Sequence, residues 1–199
     1  MIPDIPAGAA NNPFGRPLFN DPSVRKLARV GVVDIGSNSV RMVIFDGAAR
    51  SPAYFYNEKV MCALGAGISD TGRLNPEGRV RALAAVARFE AIAQSLGISP
   101  LTAVATAAVR DANDGPDFCA DVLRETGLTV HVIDGPEEAR LSAQGVLLGW
   151  PGSYGLVCDI GGASMELAEI RDGHVGKCVT SSLGPLKLQS MKGGAKARK

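Results

Sequence analysis

The sequence lacks the features that mark several large classes of protein. It has no uncharged apolar run of about 18 residues, the length that a membrane-spanning helix needs. Its first residues lack the basic and then apolar order of a secretory signal. Its four cysteines form no Cys-x-x-Cys pair, and His131 and His174 have no second ligand at metal-binding spacing. The sequence therefore predicts a cytoplasmic protein with reduced thiols and no membrane partner.

An excess of charge of one sign is also missing. The 199 residues carry a formal net charge of +1, and four of the 21 Lys and Arg residues stand in the last eight positions. The rest of the chain is slightly acidic, which gives no electrostatic reason to bind nucleic acid. The chain has no Gly-x-x-x-x-Gly-Lys-Ser/Thr loop, which disfavours nucleotide hydrolysis of the P-loop type.

What the sequence does contain is a regular alternation of predicted strands and helices. Residues 1–23 are rich in proline and are predicted to be a flexible leader. Three strands follow, and then strands alternate with helices that begin at Asn75-Pro76, Gly115-Pro116 and Gly135-Pro136. Gly65-Ala-Gly67 is predicted to be a turn with no helix after it. This order predicts an α/β domain with a mixed sheet.

The most informative feature is an internal repeat. Val32–Ser39 is matched 125 residues further on by Val157–Ser164, with Asp, Ile, Gly and Ser in register. In both copies a buried strand runs into an Asp, a turn of small residues and a second strand. Such turns expose backbone N–H groups that bind phosphate oxygens, and the Asp can orient water or hold Mg²⁺. One copy alone is typical of a tight hairpin, whereas two copies in register indicate a duplicated domain.

Four segments together resemble the exopolyphosphatase and guanosine pentaphosphate phosphatase family. They are Asp34–Arg41, Thr106–Arg110, Gly135–Arg140 and Asp159–Glu166. The resemblance extends from about Val30 to Gln189 and implies an actin-like ATPase fold, in which two ribonuclease H-like lobes enclose a cleft. It also implies an enzyme that removes terminal phosphate from inorganic polyphosphate, and in some members from guanosine pentaphosphate. Mg²⁺ is the implied cofactor, and a second copy of the chain in a homodimer is a further partner to consider.

The resemblance also divides the chain into domains. Residues 24–150 form one complete ribonuclease H-like lobe with a mixed sheet, residues 151–190 begin a truncated second lobe, and residues 191–199 are a basic tail. Too few residues follow the second repeat to cover a whole sheet. We therefore expect apolar side chains of this segment to lack the helices that would cover them. They are Leu167, Ile170, Val175, Val179 and Leu183.

The same resemblance assigns roles to the matched residues. Glu138 is implied to be the general base, although an acid in the first turn of a helix more often only stabilises the helix dipole. Arg110 is expected to follow a strand and to clamp phosphate oxygens; the alternative is a surface ion pair with Asp111 or Asp114. The implied metal ligands are Asp159, Glu166 and Asp34. The implied phosphate-binding residues are Gly36, Ser37, Asn38, Ser39, Gly161, Gly162 and Ser164.

Two substitutions in the second loop depart from the family pattern. Ala163 stands where the family has glycine, and Met165 stands where it has threonine. If position 163 needs a positive φ, Ala163 is unfavourable there. A non-catalytic lobe that binds polyphosphate or an alarmone is the alternative function. A kinase of the same fold is less favoured, because its adenosine site lies in the part of the second lobe that is missing here.

Overall fold

The computed structural model describes residues 29–46 and 53–190, so the predicted leader and basic tail lie outside the described residues. Within these ranges the chain forms two sheets with helices around them. The strands are β1 (Val30–Ile35), β2 (Ser39–Phe45), β3 (Tyr54–Met61), β4 (Leu101–Ala105), β5 (Val130–Val132), β6 (Gly155–Ile160), β7 (Met165–Arg171) and β8 (His174–Ser181). The helices are α1 (Ile68–Thr71), α2 (Pro76–Ser95), α3 (Ala107–Asp111), α4 (Gly115–Thr126), α5 (Gly135–Gly149) and α6 (Pro185–Ser190).

The first sheet has five strands in the order β3-β2-β1-β4-β5. Strands β1 to β3 are antiparallel neighbours, whereas β4 and β5 run parallel to β1, so the sheet is mixed as predicted. Alternate residues of β1 and β2 are fully buried, because they pack with α2 and α4 in the main core. Helix α2 begins where the sequence predicts, since the Asn75 side chain accepts a 2.7 Å hydrogen bond from Gly78 N.

The second sheet consists of the antiparallel strands β6-β7-β8, and α5 covers one of its faces. A small core lies between them, in which Ala139 and Ala143 of α5 pack on Ala168 and Ile170 of β7. Alanine on both sides allows the helix to lie close to the strands. The first residue of α5 is Gly135, where an added Cβ would lie 2.3 Å from a carbon of Thr180. Helix α5 is therefore in close contact with the second sheet from its first residue.

The internal repeat of the sequence is a repeat of structure. The turn after β1 is closed by a 2.9 Å hydrogen bond from Gly36 N to Ser39 O, and the turn after β6 by the equivalent 3.0 Å bond from Gly161 N to Ser164 O. The strand registers also correspond: Asp34 pairs with Arg41 in the first hairpin, and Asp159 pairs with Glu166 in the second. Each Asp therefore lies at the same height above its turn.

Several local predictions were wrong. The one-turn helix α1 begins directly after Gly67, where only a turn was expected. Arg110 follows β4 as expected, but it lies in a short helix, α3, that the sequence did not predict. Ile170 and Val175 were expected to be uncovered, but both pack against α5.

The four cysteines are free thiols: Cys62 is buried, Cys119 and Cys178 are half-buried, and Cys158 is exposed. None of the helices in the described ranges has both the length and the apolarity needed to cross a membrane.

The face of the second sheet that points away from α5 is largely uncovered. Tyr154 is 74% exposed, Leu156 68% and Val179 41%. These side chains line a groove of about 470 Å³ that Glu169 and Lys177 also line. We call the face that contains this groove the outer face. It joins exposed apolar area to the charges of Glu169 and Lys177, and Glu169 forms an ion pair with Arg171 at 2.9 Å. An exposed apolar face of this kind favours association with another surface.

We expect the outer face to cause concentration-dependent self-association. The double variant Leu156→Thr, Val179→Thr removes apolar area and keeps β-branched residues in the strands, so it should shift the protein towards monomer. Sedimentation velocity over a hundredfold range of concentration measures the shift, and far-ultraviolet circular dichroism checks the fold. A wild-type protein that stays monomeric across this range would contradict the expectation.

Candidate active site

The turns of the two repeats meet at the cleft between the sheets. An added Cβ on Gly162, in the second turn, would lie 3.3 Å from the Cβ of Ser37 and 3.7 Å from the Cβ of Asn38, both in the first turn. Ser37 and Ser164 are each only 5% exposed. The close approach explains why a glycine is suitable at position 162. The structure thus brings together the two loops that the sequence predicts to bind phosphate.

The first loop is held by its carbonyl groups. Gly65 N donates to Ser37 O over 2.8 Å, and Cys62 N and Ala63 N both donate to Asn38 O over 2.9 Å. These bonds use none of the N–H groups of Ser37 or Asn38. The segment after β3 therefore fixes the loop from behind and leaves donors for an anion in the cleft.

The second loop is held in a similar way by the first turn of α6 and by Gly184, the residue before it. Leu186 N donates to Gly162 O over 2.9 Å, and an added Cβ on Gly184 would lie 2.3 Å from the carbonyl carbon of Ala163. Gly184 therefore packs directly on the loop backbone. Ala163 is not among the described residues with positive φ, so the alanine at this position causes no backbone strain. Met165, the other departure from the family pattern, is the first residue of β7.

Helix α5 places Glu138 in the cleft. The helix is capped by Asp134, whose side chain accepts a 2.8 Å hydrogen bond from Glu137 N, and it starts with Gly135 and Pro136. Glu138 lies in the first turn, and its side chain is 16% exposed. Glu137 instead accepts a 2.7 Å hydrogen bond from Nε of Arg140 on the same helix.

Arg110 connects the first lobe to this carboxylate. Its Nη1 donates to Ile133 O at 3.1 Å and lies 3.4 Å from Glu138 Oε2. Its Nε also donates to Asp111 Oδ1 at 3.2 Å, so the surface ion pair that the sequence offered as the alternative is present as well. The short helix α3 and the end of β5 thus place a guanidinium beside the predicted base.

The surroundings of Glu138 make it a weak acid. The pKa of Glu138 is raised from 4.5 to about 7; burial is the largest cause, and the nearby carboxylates of Glu166 and Asp159 contribute to the rise. The guanidinium of Arg110 opposes these effects and lowers it. A carboxyl group with a pKa near 7 is well suited to accept a proton at neutral pH.

Two acidic residues lie side by side on the face of the second sheet that α5 covers. Asp159 of β6 and Glu166 of β7 are directly opposite each other in the antiparallel ladder. Asp159 Oδ2 lies 2.5 Å from Ser142 Oγ, and Glu166 Oε1 accepts a 2.9 Å hydrogen bond from Thr180 Oγ1. Glu166 is 1% exposed, and its Oε2 has no hydrogen-bond partner.

Asp34 approaches this pair from the first sheet. Partial burial of its carboxyl group raises the pKa of Asp34, although part of the side chain remains in contact with water. Arg41, its neighbour on β2, lowers the pKa, whereas the negative charge of Asp159 raises it. The Arg41 Nε is held by Asn57 Oδ1 at 2.9 Å. The two aspartates of the repeat therefore face the same cleft and feel each other's charge.

These carboxylates fit a hard divalent cation that retains water ligands. Among residues 29–46 and 53–190, no group of three His, Cys, Asp or Glu side chains is arranged as a protein-only metal cage. Mg²⁺ is commonly held by one or two carboxylates plus water and substrate phosphates. The unpartnered Oε2 of buried Glu166 is the strongest observation in favour, because a bound cation would satisfy it. Metal binding by Asp159, Glu166 and Asp34 stays a prediction.

Sequence reasoning missed two side chains of the site, Ser142 and Thr180. Ser142 follows Glu138 by four residues, a spacing that places both on one face of a helix. Thr180 is the cross-strand partner of Glu166, and its position depends on the register of β8. The sequence could therefore have pointed to Ser142 through helix periodicity, whereas the contact of Thr180 with Glu166 is visible only in the structure.

Comparison with known proteins identifies the family. A model of the Ppx/GppA phosphatase family matches residues 43–192, which is most of the chain. The chain belongs to this family. Exopolyphosphatase 1 of Mycobacterium tuberculosis is 33% identical over 143 residues, a match that covers 70% of the chain and 42% of the relative. Exopolyphosphatase 2 of the same organism is 36% identical over 152 residues, covering 71% of the chain and 48% of the relative. The chain thus spans about half the length of these curated relatives.

Solved structures of the family confirm the fold. The family member from Aquifex aeolicus superposes with a TM-score of 0.72 at 28% identity, covering 82% of the chain and 54% of that protein. An exopolyphosphatase from Cytophaga hutchinsonii gives a TM-score of 0.75 at 30% identity, covering 81% of the chain and 52% of that protein. The predicted fold class is confirmed: an α/β protein of the actin-like type, with a mixed-sheet lobe and the three-stranded start of a second lobe.

The raised pKa of Glu138 has a consequence for stability. The folded state binds a proton on this group more tightly than the unfolded state, so the stability that the wild type derives from it falls as pH rises from about 4.5 to about 7. Glu138→Gln should remove this loss. At pH 8 we expect the variant to be more stable by on the order of 1–3 kcal/mol, with no difference from this cause below pH 4.5. Thermal melts between pH 4 and 8 measure it, and a difference that does not change with pH would contradict the argument.

Proposed function

We propose that this site hydrolyses the terminal phosphoanhydride bond of inorganic polyphosphate. The observation that carries the proposal is Glu138, a buried carboxylate with a pKa of about 7 beside Arg110, in a cleft where two phosphate-type loops meet. The names of the Mycobacterium tuberculosis relatives support the substrate. The chain's own loops and charges support the type of reaction, because N–H groups and a guanidinium suit phosphate oxygens.

In the proposed reaction, Glu138 accepts a proton from a water molecule. The water oxygen attacks the terminal phosphorus, the bond from that phosphorus to the bridging oxygen breaks, and the shortened chain leaves with the bridging oxygen. Orthophosphate is the other product. The N–H groups of Ser37, Asn38 and Gly162 hold phosphate oxygens, and Arg110 stabilises the negative charge in the transition state. Most of the rate acceleration then comes from positioning and electrostatics.

Mg²⁺ is part of the proposal. Asp159 and Glu166 would hold it from the second sheet, with Asp34 opposite them on the first. When bound, the ion supplies positive charge that neutralises phosphate oxygens. Without that charge, the substrate would enter a cleft that already contains three carboxylates in addition to Glu138.

Guanosine pentaphosphate is a second substrate to test, because its 5′ end carries the same terminal phosphoanhydride. The other candidate function is binding of polyphosphate or an alarmone without turnover, since the chain spans about half the length of its curated relatives. Phosphate release from tripolyphosphate and from guanosine pentaphosphate, with binding measured in parallel, separates these functions. Homodimer formation, which the exposed outer face supports, and a cytoplasmic location, which the sequence analysis predicts from the cysteines, belong to the same proposal.

Replacing the base should separate binding from turnover. Glu138→Gln keeps the shape of the side chain and loses its basicity, so phosphate release should fall at least about 100-fold while polyphosphate binding stays within several-fold. Glu137→Gln, one residue earlier and paired with Arg140, is the matched control and should retain activity. The wild-type rate should rise with pH through about 7, as Glu138 loses its proton. Phosphate release by Glu138→Gln at the wild-type rate would remove Glu138 from the mechanism.

Removing Arg110 should weaken binding and also change the pH profile. A lost charge-assisted hydrogen bond costs about 1.5–3 kcal/mol, which is about 10- to 150-fold in kcat/KM. Because Arg110 lowers the pKa of Glu138, Arg110→Ala should also move the acidic limb of the pH profile to higher pH. The control is Arg124→Ala, since Arg124 is an arginine on α4 with a 65% exposed side chain. Unchanged kinetics and an unchanged pH profile in Arg110→Ala would show that the surface ion pair with Asp111 is its whole role.

A further inference from the structure

Two hydroxyl groups hold the acidic pair of the second sheet from its two ends. Ser142 Oγ lies 2.5 Å from Asp159 Oδ2, and Thr180 Oγ1 donates to Glu166 Oε1 at 2.9 Å. We propose that Ser142 and Thr180 are positioning residues that leave Asp159 Oδ1 and Glu166 Oε2 available to a divalent cation. This inference rests on the proposed function, because it concerns the metal-binding half of the same site.

The geometry of the sheet makes such residues necessary. Asp159, Glu166 and Thr180 are consecutive cross-strand neighbours on β6, β7 and β8. Two carboxylates directly opposite each other repel, and free side chains would rotate apart. A hydrogen bond to one oxygen of each carboxylate removes this freedom and sets which oxygen remains for the cation.

Thr180 is itself held by its surroundings. An added Cβ on Gly135 would lie 2.3 Å from Thr180 Cγ2 and 2.7 Å from its Oγ1, so the threonine side chain fills the space above this glycine. A β-branched side chain packed in this way has little freedom at χ1. The methyl group therefore contacts the start of α5, while the hydroxyl group points at Glu166. Contact with α5 also links the position of Glu166 to the helix that carries Glu138.

Ser142, on α5, holds Asp159 in the way that Thr180 holds Glu166. It lies one helical turn after Glu138, so a single helix face carries both the predicted base and the donor to Asp159. Neither hydroxyl is part of a packed core: Ser142 is half-buried and Thr180 is exposed. Their removal should therefore change the acidic pair far more than it changes the stability of the fold.

Matched substitutions separate the hydroxyl group from the shape of each side chain. Thr180→Val keeps the shape and removes the donor, whereas Thr180→Ser keeps the donor and removes the methyl group. Ser142→Ala and Ser142→Thr form the corresponding pair. The measurement is Mn²⁺ binding to the full chain without substrate, followed by the electron paramagnetic resonance signal of free Mn²⁺. Thermal melts without metal check the fold of each variant.

We expect Thr180→Val and Ser142→Ala to weaken Mn²⁺ binding by about 10-fold or more, as is usual when a ligand loses its orienting partner. Thr180→Ser and Ser142→Thr should stay within about threefold of the wild type. Equal Mn²⁺ affinity in Thr180→Val and the wild type would overturn the role of Thr180. Equal losses in Thr180→Ser and Thr180→Val would also overturn it, because they would show that shape matters and the donor does not. The Ser142 pair is judged in the same way.

Phosphate release from tripolyphosphate, measured on the same preparations, distinguishes this inference from the proposed function. A wild-type chain that binds Mn²⁺ and loses this binding in Thr180→Val, yet releases no phosphate, would refute the exopolyphosphatase proposal and leave the positioning role standing. A wild-type chain that releases phosphate but binds no Mn²⁺ would refute the positioning role and the metal part of the proposed function, and would leave polyphosphate hydrolysis standing.

Discussion

The direct opposition of Asp159 and Glu166 across β6 and β7 is the constraint on which the site depends. Two carboxylates at this spacing repel, and one of them is almost completely buried with an oxygen that has no partner. A fold keeps such an arrangement only if positive charge or hydrogen-bond donors compensate for it. The hydroxyl groups of Ser142 and Thr180 and the cation of the proposed mechanism both answer this acidic pair, and its charge adds to the effect of burial on the pKa of Glu138.

Comparison of the two repeated hairpins shows which residue makes the acidic pair. In the first hairpin the residue opposite Asp34 is Arg41, whereas in the second hairpin the residue opposite Asp159 is Glu166. The two turns share the same closing hydrogen bond and have glycine at the first and serine at the last position. Both hairpins thus have a loop suited to phosphate, but the cross-strand pair is of opposite charges in the first and doubly acidic in the second. One duplicated unit therefore supplies phosphate contacts from both sides of the cleft and a cation site from one side.

The sequence predicted the strands and the three longer helices, because alternating apolar residues and starts such as Asn75-Pro76 are local signals. That the two loops line one cleft was implied only by the family resemblance. The sequence did not predict α3, since Thr106–Arg110 carries no capping or periodic signal of its own and is defined by its position after β4. The burial of Ile170 was missed because the helix that covers it, α5, comes before β7 in the chain, whereas the prediction considered only the residues that follow. Thr180 was missed for a related reason: cross-strand contacts depend on register, which these short strands do not specify.

Helix α5 connects the chemistry of the two sheets. It follows β5 of the first sheet, packs on β6 to β8 of the second, and carries Glu138 in its first turn. Burial raises the pKa of Glu138 most, and charges from both sides adjust it, since Glu166 on the second sheet raises it and Arg110 on the first lobe lowers it. A phosphate that binds Arg110 would neutralise the group that keeps Glu138 acidic and would add negative charge nearby. In the proposed reaction, substrate binding thus strengthens the base at the moment when a proton has to be removed from water.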